Sequence, residues 1–207
     1  MIIFENVTAT LANENKRKGV VLSGENIRIP SDRCIALLGR SENHRKTIID
    51  LISGMKMPHT GRIIRQARVS FPVGIVPGVE RDWSLAMNVA HVARLYGQNE
   101  DEIVGFVRRI YQRSFNRKYA QLDVNERKRF ARILAFAIPF DTYVLPDDRM
   151  SQDCIELFEA RARTSGMIVN IHNKNFARQY CDAALVVEGG RLELRNTKAP
   201  APEDAPA

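Results

Sequence analysis

Apolar and polar positions along the chain change period several times, and each change marks an element. Met1-Ile-Ile-Phe-Glu-Asn-Val-Thr8 reads as an opening strand, and Asn13 to Gly19, dense in Asn, Glu, Lys and Arg, as a polar turn. Val20 to Leu22 resumes a strand, and Ile27 and Ile29 alternate with charge before the turn Pro30-Ser-Asp-Arg33. Ile35 to Leu38 is a short continuous apolar run that ends at Gly39, the pattern of a buried strand. A polar loop follows, and then Ile48, Ile49, Leu51 and Ile52 recur at the spacing of an amphipathic helix that Gly54 stops. Pro58-His-Thr-Gly61 predicts a turn and Arg62 to Arg65 a short strand, while Val69 to Pro77 is apolar but broken by Pro and Gly.

From Leu85 the period becomes helical. Three helices are predicted, over Leu85 to Gly97, Glu100 to Gln112 and Arg127 to Ile138, each with apolar residues on one face. Tyr143 to Leu145 predicts a strand, Ser151 to Ala162 a helix, Gly166 to Ile171 a strand and Asn175 to Tyr180 a short helix. Ala183 to Val187 and Arg191 to Leu194 close as a hairpin turned at Gly189-Gly190. The expected architecture is α/β: an antiparallel β edge, a strand–loop–helix unit, and a helical subdomain over about 80 to 140. One domain is expected over 1–195. The tail 196–207 is rich in Pro and Ala and is expected to be disordered.

Composition changes this picture little. The 207 residues suffice for one substantial core, and 44% hydrophobic with 27% charged residues is ordinary for a globular chain. No apolar run approaches the ~20 residues that span a bilayer, and the first residues lack a secretory-signal pattern. Cys34, Cys154 and Cys181 are far apart among apolar residues, so they form no metal-ligand spacing, and no metal site is expected. The net charge of +7 does bear on partners. Part of it clusters between Arg108 and Lys118 and between Arg127 and Arg132, either as solvated helix faces or as a surface for anionic partners. No nucleic-acid motif or aromatic stacking array accompanies it, so no nucleic-acid partner is expected.

The unit Cys34-Ile-Ala-Leu-Leu-Gly-Arg-Ser-Glu-Asn-His-Arg-Lys-Thr47 has the order and register of a P-loop. Gly39 stands at the first glycine, with Arg40 and Ser41 after it; Arg45 falls where the lysine belongs and Lys46 where Ser or Thr belongs, followed by Thr47. Glu42 and His44 occupy positions where glycine would let backbone amides wrap phosphate. Two like charges about 4 Å apart cost about 1 kcal/mol in water and about 4 at an effective dielectric of 20, so Glu42 opposes a triphosphate unless it swings into solvent. Arg45 keeps a positive charge as a broad fork, and Lys46 replaces a magnesium-binding hydroxyl with a cation.

Several further stretches carry a family resemblance. They are Met1 to Thr8, Leu38-Gly-Arg-Ser41, Ser53-Gly-Met55, Gly61-Arg-Ile-Ile64, Ser70-Phe-Pro-Val-Gly74 and Asn88-Val-Ala-His-Val-Ala-Arg-Leu-Tyr-Gly97. Through them the chain resembles an ABC-transporter nucleotide-binding domain and, more narrowly, the ATP-binding subunit of capsular polysaccharide exporters. The resemblance implies a P-loop NTPase fold of ABC type. It implies a place on the cytoplasmic face of the bacterial inner membrane, peripheral and docked to a permease, and pairing with itself or with an intact paralogue. It also implies ATP and Mg²⁺ as ligands, both expected to be weak or absent here.

Carried over position by position, the resemblance puts the signature loop at Leu122 to Glu126, with Asp123 for its serine and Asn125 for its glycine. The aromatic that stacks on adenine near 11 to 13 is absent, with Leu11 and Asn13 there. Ungapped, Pro146 and Asp147 stand at the metal-associated acid and the catalytic acid, and Asp153 at the D-loop aspartate. A one-residue shift puts Asp147 and Asp148 there instead. His172 matches the switch histidine. Three functions remain open at this stage: a degenerate exporter subunit, which is favoured; a silent regulatory or scaffold protein; and a divergent ATPase using Arg45, Thr47, Asp147 and His172.

Overall fold

The computed structural model describes residues 1–12 and 18–196. The expected turn over 13–19 falls largely outside the described residues, as does the expected disordered tail from 197 onward.

Two sheets organise the chain. The first is antiparallel, in the order β2-β1-β4, and consists of β1 (Ile2–Ala12), β2 (Lys18–Ile29) and β4 (Thr60–Arg65). The second has the order β5-β6-β7-β3-β8-β9. Its strands are β3 (Cys34–Leu38), β5 (Val69–Pro72), β6 (Thr142–Leu145), β7 (Gly166–Asn170), β8 (Ala183–Glu188) and β9 (Arg191–Asn196). All neighbours in it run parallel except β8 and β9, which form the predicted hairpin. Parallel strands need crossovers, and α1 (Glu42–Ser53), α5 (Gln152–Ala162) and α6 (Lys174–Tyr180) supply three of them. The helical subdomain is α2 (Leu85–Leu95), α3 (Glu100–Tyr111) and α4 (Val124–Ala137).

The parallel strands are apolar throughout because both faces are covered. Alternation within each strand divides two cores. Ile35 and Leu37 of β3, Val144 of β6 and Ile168 of β7 point toward the antiparallel sheet and α1, where they meet Phe4, Val21, Ile48 and Ile52. Ala36, Tyr143, Leu145, Met167 and Val169 point the other way, toward Phe130, Leu134 and Phe158 beneath the helical subdomain. A substitution on β3 thus reaches one core or the other, depending on the parity of its position.

Helix starts follow local capping chemistry. Ser84 and Asn99 cap α2 and α3 with their side-chain oxygens. The last of the three helices begins at Val124, ahead of the expected Arg127. Asp123 accepts the amides of Asn125 and Glu126, and Glu126 reaches back to the Asp123 amide, a capping box that winds one more turn. Among the described residues, no helix is long and apolar enough to cross a membrane.

Candidate functional site

The carboxyl ends of β3, β6 and β7 open onto one crevice, the place where parallel α/β sheets collect their functional groups. The segment after β3 differs from the polar loop expected there. Helix α1 starts at Glu42, and every residue from 42 to 47 has negative φ. Without glycine at 42 or 44 the backbone has little access to an open cradle, and Ser41 acts as a helix cap instead. Its Oγ accepts the His44 amide at 3.3 Å and its carbonyl the Arg45 amide at 3.1 Å. Those amides are therefore committed within the chain. Gly39 has a packing reason of its own, since a Cβ there would collide with the side chain and carbonyl of Val187. Arg40 is exposed, 3.7 Å from Glu188. Lys46 is exposed, and buried Thr47 spends its hydroxyl on the Asn43 carbonyl at 3.0 Å. Thr47 does not turn toward the crevice as a magnesium ligand.

Arg45 and Glu42 face each other across one turn of α1. The Arg45 guanidinium donates to the Gly39 carbonyl, to Glu42 Oε2 and, from Nε, to Asn170 Oδ1 at 2.6 Å. Asn170 is 2% exposed at the end of β7. Its amide nitrogen donates to Glu42 Oε1 at 3.2 Å and to the Pro146 carbonyl at 3.0 Å. His172 donates from Nε2 to Glu42 Oε2 at 3.2 Å. Glu42 was expected to oppose a phosphate unless it swings into solvent. Its side chain is 57% exposed, yet its carboxylate turns toward Arg45, Asn170 and His172, which surround it.

Beyond His172 lie the two aspartates after β6. Asp148 is buried, and its Oδ2 accepts the amides of His172 and Asn173 at 2.9 and 2.7 Å. Asp147 is partly exposed and forked by Arg149, with Nε to Oδ1 and NH2 to Oδ2 both at 2.8 Å. Burial pushes the Asp147 carboxyl up, but the hydrogen bonds and charge of Arg149 outweigh it and hold the group below its ordinary value. The structure brings Asp147, Asp148 and His172 together, so both registers of the acidic pair lie in the crevice. Asp153 sits in the first turn of α5, where Arg129 Nε reaches its Oδ2 at 2.7 Å and joins α5 to α4. Asp123 and Asn125 form the capped start of α4. They line a cavity of about 540 Å³ between α4 and the 147–151 segment, together with Lys128, Arg132 and Arg149.

The sequence reading missed Asn170 and the anchoring role of Asp148. A polar residue inside the otherwise apolar run Gly166 to Ile171 was the available signal for the first. Nothing local distinguishes the second.

No family model matches the chain. Curated relatives do. It is 30% identical over 202 residues to the polysialic acid transport ATP-binding protein KpsT of Escherichia coli, covering 93% of this chain and 90% of that protein. The chain belongs to the ABC-transporter ATP-binding subunits related to capsule and polysaccharide export. The capsule polysaccharide export ATP-binding protein CtrD of Neisseria meningitidis is 29% identical, with 76% of this chain and 77% of that one covered. The ATP-binding protein BexA of Haemophilus influenzae is 28% identical, with 82% of each covered. Among solved structures, the ATP-binding cassette MJ0796 bound to ADP and Pi superposes with a TM-score of 0.77 at 14% identity, covering 96% of this chain and all of that one. That likeness shows the fold: an ABC-type P-loop domain with a mixed sheet and a helical subdomain.

An ABC ATP-binding subunit implies a capacity for ATP and Mg²⁺. The loop residues from 42 to 47 depart from those that would hold that pair. A γ-phosphate at the crevice would meet the Glu42 carboxylate on the groups that would have bound it, and neither Lys46 nor Thr47 presents a hydroxyl for the metal.

The Asp147–Arg149 pair has a pH consequence. A carboxyl whose folded pKa is depressed contributes stability above its unfolded value and loses it as pH falls through the folded value. Arg149→Ala is expected to move the Asp147 titration upward, toward or past the ordinary 3.8, as followed by carboxyl ¹³C NMR. An unchanged midpoint would show that Arg149 does not hold the group.

Proposed function

We propose that residues 1–195 act as one degenerate ATP-binding subunit of an exporter for capsular or related surface polysaccharide, keeping the fold while binding ATP weakly or not at all. The observation that carries this reading is the Glu42 carboxylate held by Arg45, Asn170 and His172. A nucleotide has to break those contacts and then tolerate, or expel, a fixed negative charge. The second anion-facing helix start is closed in the same way, because Asp123 Oδ1 takes the Asn125 and Glu126 amides at 2.8 and 2.9 Å. Displacing both sets costs several kcal/mol, and about 4 kcal/mol turns a micromolar affinity into a millimolar one. Hydrolysis also needs a metal and an oriented water, and Pro146 stands where the ungapped register puts the metal-associated acid.

The exporter role also rests on a docking face. Between β5 and α2, around residues 71 to 82, the surface exposes Ile75, while Trp83, Met87 and Leu95 stand exposed beside it. Such a cluster of large apolar groups calls for a partner. We assign it to a membrane-embedded permease, with the subunit peripheral on the cytoplasmic face of the bacterial inner membrane. The subunit pairs with a second copy or with an intact paralogue. The divergent-ATPase reading keeps one specific support: Arg45 and His172 bring two cation-capable groups to one point.

Calorimetric titration of Mg·ATP, with phosphate release measured in parallel, separates these readings. The expected result is a dissociation constant near millimolar or weaker and negligible turnover. Micromolar binding with turnover abolished by Arg45→Ala or His172→Ala establishes the divergent ATPase instead. For docking, a photocrosslinker at position 75 or 87 is expected to capture an integral-membrane permease in cells. Capture of soluble proteins alone supports the scaffold reading.

A further inference from the structure

The polar centre contains an imbalance that the nucleotide reading does not use. Glu42 Oε2 lies 3.2 Å from His172 Nε2, and a carboxylate can only accept, so Nε2 carries the hydrogen. In neutral imidazole that leaves Nδ1 as a bare lone pair. Nδ1 faces Asp148 Oδ1 at 3.4 Å and Asp147 Oδ1 at 3.9 Å. One of these oxygens is already orphaned. Asp148 is 5% exposed, its Oδ2 serves two backbone amides, and its Oδ1 is buried without a hydrogen-bond partner. Two bare electron pairs, His172 Nδ1 and Asp148 Oδ1, therefore face each other, and beside them Asp147 Oδ1 accepts from the Arg149 amide and Nε at 2.9 and 2.8 Å. Ligand atoms of all three residues lie within 4.8 Å of one another.

We propose that Asp147, Asp148 and His172 form a site for a divalent transition ion of the Zn²⁺ class, bound directly and without nucleotide. Donors bonded at 2.0–2.2 Å to a tetrahedral ion stand about 3.4 Å apart, which matches the His172–Asp148 spacing and needs only a small closure by Asp147. The donor set, one imidazole and two carboxylates, suits Zn²⁺ better than Mg²⁺, which takes oxygen ligands in a strict octahedron. The surroundings suit it as well. Metal-bound histidines generally donate their second nitrogen to a carboxylate, and Glu42 takes that part, itself fixed by Arg45 and Asn170. The backbone amides on Asp148 Oδ2 hold that ligand in place, while Arg149 occupies Asp147 Oδ1 and gives it up when the ion binds. Access is open, since the side chains of His172 and Asp147 are 27% and 24% exposed. No Cys/His spacing in the sequence announces such a site, because β6 and β7 bring its parts together from 24 or 25 residues apart in the chain. The inference needs neither ATP binding nor its absence.

The test is calorimetry of the full chain, stripped with chelator and free of nucleotide, titrated with Zn²⁺ and separately with Mg²⁺. The expected result is one Zn²⁺ per chain at micromolar affinity or tighter, and no Mg²⁺ binding below millimolar. Asp148→Asn, which keeps an oxygen for the two amides, and His172→Ala are each expected to weaken Zn²⁺ at least tenfold. Asp147→Ala, at a partly exposed position with little packing to lose, guards against a folding failure in the other two and is expected to weaken Zn²⁺ as well. No Zn²⁺ binding by the parent chain overturns the site. Zn²⁺ binding that all three substitutions leave unchanged overturns it equally, since the ion would then sit elsewhere.

Discussion

The crevice at the ends of β3, β6 and β7 depends on where one carboxylate goes. The Glu42 side chain is 57% exposed, and its carboxylate turns toward the crevice because Arg45 stands one helical turn away on the same face and because β7 ends in an amide, Asn170. Each partner is fixed in turn: Arg45 by the Gly39 carbonyl, Asn170 by the Pro146 carbonyl. Arg45 and Asn170 are the sheltered members of this charge-assisted network, and Glu42 and His172 close it from the exposed side. Removing Glu42 leaves Arg45 with the Gly39 carbonyl and Asn170, and His172 with the two aspartates beside its Nδ1. The network therefore sets what the rest of the fold can do with a phosphate.

The same logic repeats at the start of α4. An uncapped helix N-terminus offers free amides and a positive dipole end to an anion. Ser41 takes one amide of the first start with a hydroxyl, and Asp123 takes two of the second with a carboxylate. Asp153 adds a mechanical link, because its contact with Arg129 ties the helical subdomain to α5. The scaffold around these starts has two well-packed cores and exposes large apolar groups beside α2, the face that the proposed docking uses.

Much of this was legible in the chain. Continuous apolar runs in Ile35 to Leu38 and Tyr143 to Leu145 announced strands covered on both faces, and the period of Ile48 to Ile52 announced α1. The departures from a phosphate loop at 42, 44, 45 and 46 were equally plain. Their structural result was not. Replacing glycine by Glu and His removes a reason for the loop to stay open, but only Ser41 in capping geometry shows that the helix extends to Glu42. Capping also hid the start of α4, since Asp123 and Glu126 read as a damaged binding loop and act as a capping box. Asn170 and Asp148 escaped for a different reason. Their partners lie 128 and 24 residues away, and no local pattern records a contact formed by strand order.

The central claim is that Glu42, as an internal anion, keeps nucleotide out of the crevice. It is tested most directly by measuring Mg·ATP affinity for Glu42→Ala beside the parent chain and Lys46→Ala, all by the same titration. If the carboxylate is the obstacle, Glu42→Ala binds at least tenfold tighter than the parent, a gain of about 1.4 kcal/mol, while Lys46→Ala, exposed and outside the network, gains nothing comparable. Equal affinities for Glu42→Ala and the parent would contradict the account and place the barrier elsewhere in the loop.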